Sequence, residues 1–367
     1  MPKKRILLVD DSVLIRRSLA DALSRQPLLE IVGSAPNGRI ALMKIPLLHP
    51  DVVILDVEMP ERDSLATLAE IRKAYPHITV IMLSESTEQE AGATLEALTL
   101  GAKDYVTKPG IAAISDNVVQ ILSDELASKI ELFCPYVSDG QPYSSPHVVV
   151  PPADMVPGAA VGRIAKRMDV LAIGVSTGGP NALTGLLSEL PADFPVPILI
   201  VQHMPPIFTK LLAERLAAKC KIHVAEGRSH VAVLPGGAWI APGDYHMAVE
   251  RRGETVRIRT HQDHPENSCR PAVDVLFRSV AEVYGPHVLA VVMTGMGQDG
   301  FLGCQQIRAA GGQVLAQDEA SSVVWGMPGA LVRAGIADQV VSLNNLAREI
   351  TNRASSHRLE KRALVDS

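Results

Sequence analysis

Ser176 stands in Gly174-Val-Ser176-Thr177-Gly178-Gly179-Pro180, a stretch whose small residues leave a hydroxyl unscreened. The apolar run 169–174 before it reads as a buried strand. After it, Leu183, Leu186, Leu187 and Leu190 recur at helical spacing, and Pro180 suits a first helical turn. The serine therefore sits on a tight turn from strand to helix, where backbone N–H groups at the helix start can stabilise an anion. Gly174-x-Ser176-x-Gly178 fits a nucleophile elbow. A plain small-residue turn or a phosphate loop fits the same spacing. A dinucleotide loop fits poorly, because Ser176 occupies the place of the second glycine.

A serine hydroxyl is a weak nucleophile until a base takes its proton. His203 follows the apolar run 196–201, and Asp299 lies just beyond the apolar run 288–293. If these runs are parallel strands, Ser176, His203 and Asp299 share one rim. His203 would then accept the serine proton and Asp299 would fix its tautomer. The glycines around Met296 would let its backbone N–H face a developing oxyanion. His246, His261 and His264 are competing bases, and Asp244, Asp274 and Asp318 competing orienters. The chain order Ser…His…Asp differs from the α/β-hydrolase order.

A second constellation lies earlier in the chain. Asp10, Asp11, Asp56, Ser84 and Lys108 each fall at or just past the end of a short apolar run. Carboxylates crowded together repel one another and call for a divalent cation, and oxygen ligands with room for water suit Mg²⁺. Lys108 and a cation could together neutralise a phosphoryl group on Asp56, with Ser84 adding a hydroxyl.

These residues require α/β scaffolds. Strands at 5–9, 52–55, 80–83 and 104–107 alternate with helical segments, which implies a parallel sheet with right-handed crossovers. The same alternation returns after residue 167. At 367 residues with 47% hydrophobic content, two domains are expected. We place them at 1–128 and 167–350, with a Pro-rich linker over 129–166 and a polar, frayed tail over 351–367. The linker reads equally as a tether or a docking segment. Pro235–Gly243 and Val256–Thr260 read as a small β excursion. A net charge of -5 argues against a nucleic-acid binder, and no apolar run suits membrane insertion. Four scattered cysteines without a Cys-x-x-Cys pair fit reduced thiols in a cytoplasmic protein.

The first constellation in chain order resembles the receiver domain of two-component response regulators over the whole segment. The resemblance implies a flavodoxin-like fold with a five-stranded parallel sheet, phosphorylation of Asp56, and Mg²⁺ held by Asp10, Asp11, Asp56 and the carbonyl of Glu58. It also implies switch roles for Ser84, Tyr105 and Lys108, and a histidine kinase as phosphodonor. After Met59-Pro60 the family usually carries Asp-Gly, where this chain has Asp63-Ser64.

The second half resembles the catalytic domain of the bacterial chemotaxis methylesterase family, CheB. The motifs are Ile173–Pro180, Gln202-His203-Met204-Pro205-Pro206, Ile240–Asp244 with His246, Arg270-Pro271 with Asp274, Thr294–Gly300 and Gly326-Met327-Pro328. This implies a doubly wound, Rossmann-like domain with Ser176, His203 and Asp299 as triad. It implies Thr177 and Met296 near the oxyanion, Arg270 in the substrate cleft, and no cofactor for the esterase. The implied substrates are glutamate methyl esters on chemoreceptors, with deamidation of receptor glutamines by the same chemistry. Ser268-Cys269 depart from residues often basic or polar in relatives. The alternatives are a phosphorylation-gated adaptor without catalysis and a serine hydrolase for another ester or amide.

Overall fold

The computed structural model describes residues 2–59, 64–108, 115–135 and 167–365, with side chains described to 354. The chain divides into two compact units, 1–149 and 150–367. Most of the expected linker, and Asp63 of the Asp63-Ser64 departure, lie outside the described residues.

The first unit alternates β1 (Lys4–Val9), α1 (Val13–Ser24), β2 (Leu29–Ala35), α2 (Gly38–Leu48), β3 (Val52–Asp56), α3 (Ser64–Ala74), β4 (Thr79–Ser84), α4 (Glu88–Leu100), β5 (Asp104–Thr107) and α5 (Asp116–Phe133). The five strands pair in the order β2-β1-β3-β4-β5, all parallel. Strands β3 and β4 are buried along their whole length, which is why they read as unbroken apolar runs. Ser12 caps α1 by accepting from Ile15 N, as its position after Asp10-Asp11 predicts. The order reverses between β1 and β3, so Asp10, Asp11 and Asp56 meet at the switch point of the sheet. Helix α5 runs five residues past the expected boundary at 128, because Leu122, Leu126 and Ile130 form one buried stripe on the core.

The second unit contains β6 (Val170–Val175), α6 (Gly179–Glu189), β7 (Ile198–Gln202), α7 (Phe208–Lys219), β8 (His223–Glu226), β9 (Gly237–Ile240), β10 (His246–Arg252), β11 (Thr255–His261), α8 (Val273–Tyr284), β12 (Val288–Val292), α9 (Phe301–Ala309), β13 (Gln313–Gln317), α10 (Met327–Arg333), β14 (Gln339–Val341) and α11 (Leu343–Val365). Seven strands form one parallel sheet in the order β14-β13-β12-β6-β7-β9-β8. From β6 the chain builds outward on one side and then returns to β12 on the other. The switch point therefore lies between β6 and β12, beside the turn that carries Ser176.

Two local expectations differ from the fold. Gly237–Ile240 is a buried strand of the main sheet, and only β10 and β11 form a separate antiparallel pair. The segment expected to fray is helical through Val365, and Ile350 and Ala354 are fully buried, so its first turns are anchored by packing.

Candidate functional site

Val175, the last residue of β6, pairs with Gln202, the last residue of β7. His203 N donates to Val175 O at 3.2 Å, so the ladder runs one bond past the strands. Ser176 and His203 are thus adjacent strand-end residues on chains about 5 Å apart. The serine backbone is held on both sides: Ser176 N donates to Thr294 O at 3.0 Å, and Ser176 O accepts from Gly179 N at 2.8 Å. Gly178 has φ +80, and a Cβ there would lie 2.6 Å from Val323 Cβ. At Gly295 a Cβ would lie 2.8 Å from Ser176 Cβ, so the loop after β12 closes directly on the serine. That loop carries Met296, which is 40% exposed and borders the turn. Thr177 O accepts from Thr294 Oγ1 at 2.9 Å, fixing the start of the turn to the same loop.

Asp299 is 3% exposed and receives five donors. His203 Nε2 and Val273 N meet Oδ2 at 2.8 and 2.6 Å, and Asp274 N, Gly300 N and Asn267 Nδ2 meet Oδ1 at 3.0, 2.9 and 2.9 Å. Val273 and Asp274 open α8, so the carboxylate sits on a helix N-terminus. Burial pushes the Asp299 pKa up, but His203 and the backbone donors outweigh it and hold it below the ordinary value. For His203 burial pulls downward, yet the hydrogen bond with Asp299 and the influence of Cys269 leave its pKa raised to about 9. With Nε2 on the carboxylate, Nδ1 is the nitrogen able to act as a base. Among the described residues the Ser176 hydroxyl makes no hydrogen bond, so the His203–Asp299 pair is joined and the serine stands beside it unbonded.

Four of the competing residues, His246, Asp244, Asp274 and Asp318, have hydrogen-bond partners of their own. His246 is fully buried, accepts from Ala272 N on Nδ1 at 3.2 Å and meets His264 O through Nε2 at 3.0 Å. Asp244 binds Arg270 Nη2 at 2.6 Å and Gln262 Nε2 at 2.9 Å. Asp318 Oδ1 accepts from Ser321 N at 3.1 Å. Asp274 accepts from Gly303 N and Asn267 Nδ2 at 2.6 and 3.0 Å, and burial raises its pKa to about 6. Arg270, expected in the substrate cleft, also donates Nη1 to the carbonyls of Gln262 and Asp263 at 3.2 and 3.1 Å. Its guanidinium clasps a loop.

Three residues near the pair have no catalytic or binding role in the sequence-based expectation. Gln202 lies behind Ser176. Asn267 joins Asp299 to Asp274. Cys269 is among the groups that raise the His203 pKa. Glu266 and Cys269 exchange backbone hydrogen bonds of 3.1 and 2.8 Å around Asn267 and Ser268, whose φ values are 51 and 60. This is a primed turn, for which asparagine at the first central position is the sequence-level cue.

In the first unit, Asp10, Asp11 and Asp56 bring one carboxylate oxygen each within 4.8 Å of one another. Lys108 Nζ lies 2.7 Å from Asp56 Oδ1 and 3.4 Å from Asp10 Oδ2. Asp56 is fully buried, and its Oδ2 has no hydrogen-bond partner among the described residues. Desolvation, then the Asp10 charge, outweigh Lys108 and raise the Asp56 pKa to about 7. An orphaned buried oxygen within an acidic cluster is a donor set that a hard divalent cation would complete. Glu58 is exposed beside this cluster. Ser84 Oγ accepts from Thr94 Oγ1 at 2.8 Å and donates to Glu85 O at 3.0 Å, so its hydroxyl is bonded within its own loop and to α4. The Tyr105 ring lies 6.0 Å from Lys129 Nζ. Burial, then Asp104 and Glu125, push its phenol well above the ordinary value.

Comparison with known proteins agrees with this architecture. The family model for the CheB methylesterase matches residues 171–350, and that for the response regulator receiver domain matches residues 6–118. The crystal structure of the Thermotoga maritima CheB methylesterase catalytic domain superposes with a TM-score of 0.50 at 38% identity, covering 51% of this chain and 99% of that one. A protein-glutamate methylesterase/protein-glutamine glutaminase of Trichodesmium erythraeum is 52% identical over 96% of this chain and 99% of its own length. Another, from a Nocardioides species, is 45% identical over 98% and 97%. With relatives this similar matched nearly end to end, the chain belongs to the protein-glutamate methylesterase/protein-glutamine glutaminase family, a receiver domain followed by a CheB methylesterase domain.

Proposed function

We propose that the chain is a phosphorylation-regulated serine esterase that hydrolyses glutamate methyl esters on chemoreceptors, with Ser176 as nucleophile, His203 as base and Asp299 as its partner. The observation that carries this reading is the His203–Asp299 pair beside Ser176 at the sheet's switch point. Catalytic hydrogen bonds are often loose before substrate arrives, which accommodates the unbonded serine. His203 Nδ1 takes the Ser176 proton as Oγ attacks the ester carbonyl. The oxyanion forms by the Thr177 turn and the Met296 backbone. Collapse breaks the bond to methoxide, which leaves as methanol with the proton from His203. Water, deprotonated in turn by His203, then releases glutamate and regenerates Ser176. A glutamine amide would follow the same path and release ammonia. Arg270 supports the cleft by holding the loop at 262–263.

Asp56 is the proposed phosphoacceptor, with a histidine kinase as phosphodonor. Asp10, Asp11, Asp56 and the Glu58 carbonyl would hold Mg²⁺, which neutralises charge on the phosphoryl oxygens when bound. Lys108 would hold the remaining oxygens, while Ser84 and Tyr105 would re-aim once the phosphoryl group arrives. The receiver then restrains the esterase until Asp56 is phosphorylated. In every described helix the apolar stretch is too short or too charged to cross a membrane, which accords with a cytoplasmic enzyme working on the receptors' cytoplasmic helices.

The test is methanol release from methylated receptor membranes, with and without a small phosphodonor. Wild type should release methanol faster with phosphodonor. Ser176→Ala should lose at least about 10³-fold in kcat. Retained release in Ser176→Ala would overturn the nucleophile assignment. An unchanged rate on adding phosphodonor would overturn the regulation.

A further inference from the structure

We infer that Gln202 is a positioning residue for the esterase reaction, locking the nucleophile turn to the turn that carries the base. The inference rests on the triad proposed above. The β6–β7 ladder ends with His203 N on Val175 O, one bond past the last paired residues, and the carbonyls of Ser176 and His203 lie beyond it. Gln202 Nε2 donates to both, at 3.0 Å to Ser176 O and 3.2 Å to His203 O. One amide thus ties the backbone of the serine to that of the histidine. The side chain has no freedom to do otherwise, because Gln202 is only 2% exposed. Its Oε1 lies against Gly179, where a Cβ would come within 1.8 Å, so the glycine is what admits the amide.

Gln202 Oε1 has no hydrogen-bond partner among the described residues. A buried acceptor left unsatisfied is destabilising, and a methionine of similar length would fill the same space without one. The two donated hydrogen bonds and the orphaned acceptor offset one another, so stability alone gives little reason for an amide here. What the amide alone supplies is the pair of donors that span the two turns. Reaction needs Ser176 Oγ and His203 Nδ1 aligned, and a misplacement of about 1 Å costs roughly 100-fold in rate.

The experiment measures kcat, KM and thermal midpoint for full-length Gln202→Met and Gln202→Glu, with Ser176→Ala as control. Gln202→Met should lose about 10- to 100-fold in kcat with KM within about twofold, at a midpoint close to wild type. Gln202→Glu sets a carboxylate against two carbonyl oxygens, and burial raises its pKa. Protonation restores one donor, so the ratio of wild-type to Gln202→Glu rate should shrink as pH is lowered. That second variant decides the matter should Gln202→Met be poorly folded. Wild-type kcat in Gln202→Met, or a ratio independent of pH in Gln202→Glu, would overturn the inference. Methanol release persisting in Ser176→Ala would instead overturn the triad on which it rests.

Discussion

Asp56 and Asp299 are the same residue type, both almost fully buried, each at the switch point of a parallel sheet. Their states are opposite. Asp299 receives hydrogen bonds from His203, Asn267 and three backbone N–H groups, and its pKa is held down. Asp56 has one partner, Lys108, an oxygen without any among the described residues, and a pKa near 7. Burial is common to both, so donor supply decides. A carboxylate that must orient an imidazole is best with every lone pair engaged. One that must attack phosphorus, or take a cation, needs an oxygen still free.

The largest effect expected from this contrast is on Asp299. Asp299→Asn keeps the shape but turns an acceptor into a donor, facing either His203 or the N–H groups of α8. The kcat for methanol release should fall by about 10⁴, as expected when the imidazole is left in the wrong tautomer. Stability should fall too, since buried N–H groups lose their acceptor. If Asp299→Asn retained more than a tenth of wild-type kcat, the saturated carboxylate would be a purely structural cap for α8.

The next effect is on Asp56 and concerns pH. Burial and the Asp10 charge raise the Asp56 pKa in the folded, metal-free receiver to about 7, whereas an unfolded aspartate releases its proton near the ordinary value of 3.8. Between those values the folded state binds more protons, so its stability declines as pH rises and stays lower above pH 7. Mg²⁺ should offset that decline. In full-length protein, the Mg²⁺-induced rise in the receiver's thermal midpoint should be larger at pH 8 than at pH 6. Asp56→Asn should flatten the pH dependence and weaken the response to Mg²⁺. Equal shifts at both pH values in wild type would show that Asp56 does not face the cation.

How far these sites were legible in the sequence follows from where their residues stand. Asp10, Asp56, Ser176 and His203 each end or follow an unbroken apolar run, and such runs mark buried parallel strands. The edge strand β2, Leu-Glu-Ile-Val-Gly-Ser-Ala, is only partly buried, and its polar residues hide it. β9 was obscured by the Pro235-Gly236-Gly237 approach, although Gly237–Ile240 is wholly buried. Gln202 appeared only as part of a motif, because its role depends on where the pairing of two strands ends. Asn267 is further removed: it reaches Asp299 from a turn 32 residues away in sequence, with no periodicity to announce it.

That residue yields the smallest and most discriminating prediction. Asn267 contributes both a left-handed backbone position, φ 51, and an amide that bridges Asp299 Oδ1 and Asp274 Oδ2. Glycine tolerates the same φ, so Asn267→Gly removes the bridge and keeps the turn. The turn faces solvent, and water can replace part of the lost hydrogen bond, so the cost should be about 1 kcal/mol, roughly fivefold in kcat. The sign on pH is fixed. Asp299 with one donor fewer is more basic and holds the imidazolium more firmly. The acid limb of kcat/KM is expected to follow His203, whose pKa is raised to about 9, and should move to higher pH in Asn267→Gly. Asp274, losing a donor as well, should titrate above its present value of about 6. Should Asn267→Gly cost as much as Asp299→Asn, the donors on Asp299 would not act as separable contributions, and the contrast with Asp56 would rest on the shape of the whole loop instead of on the count of hydrogen bonds.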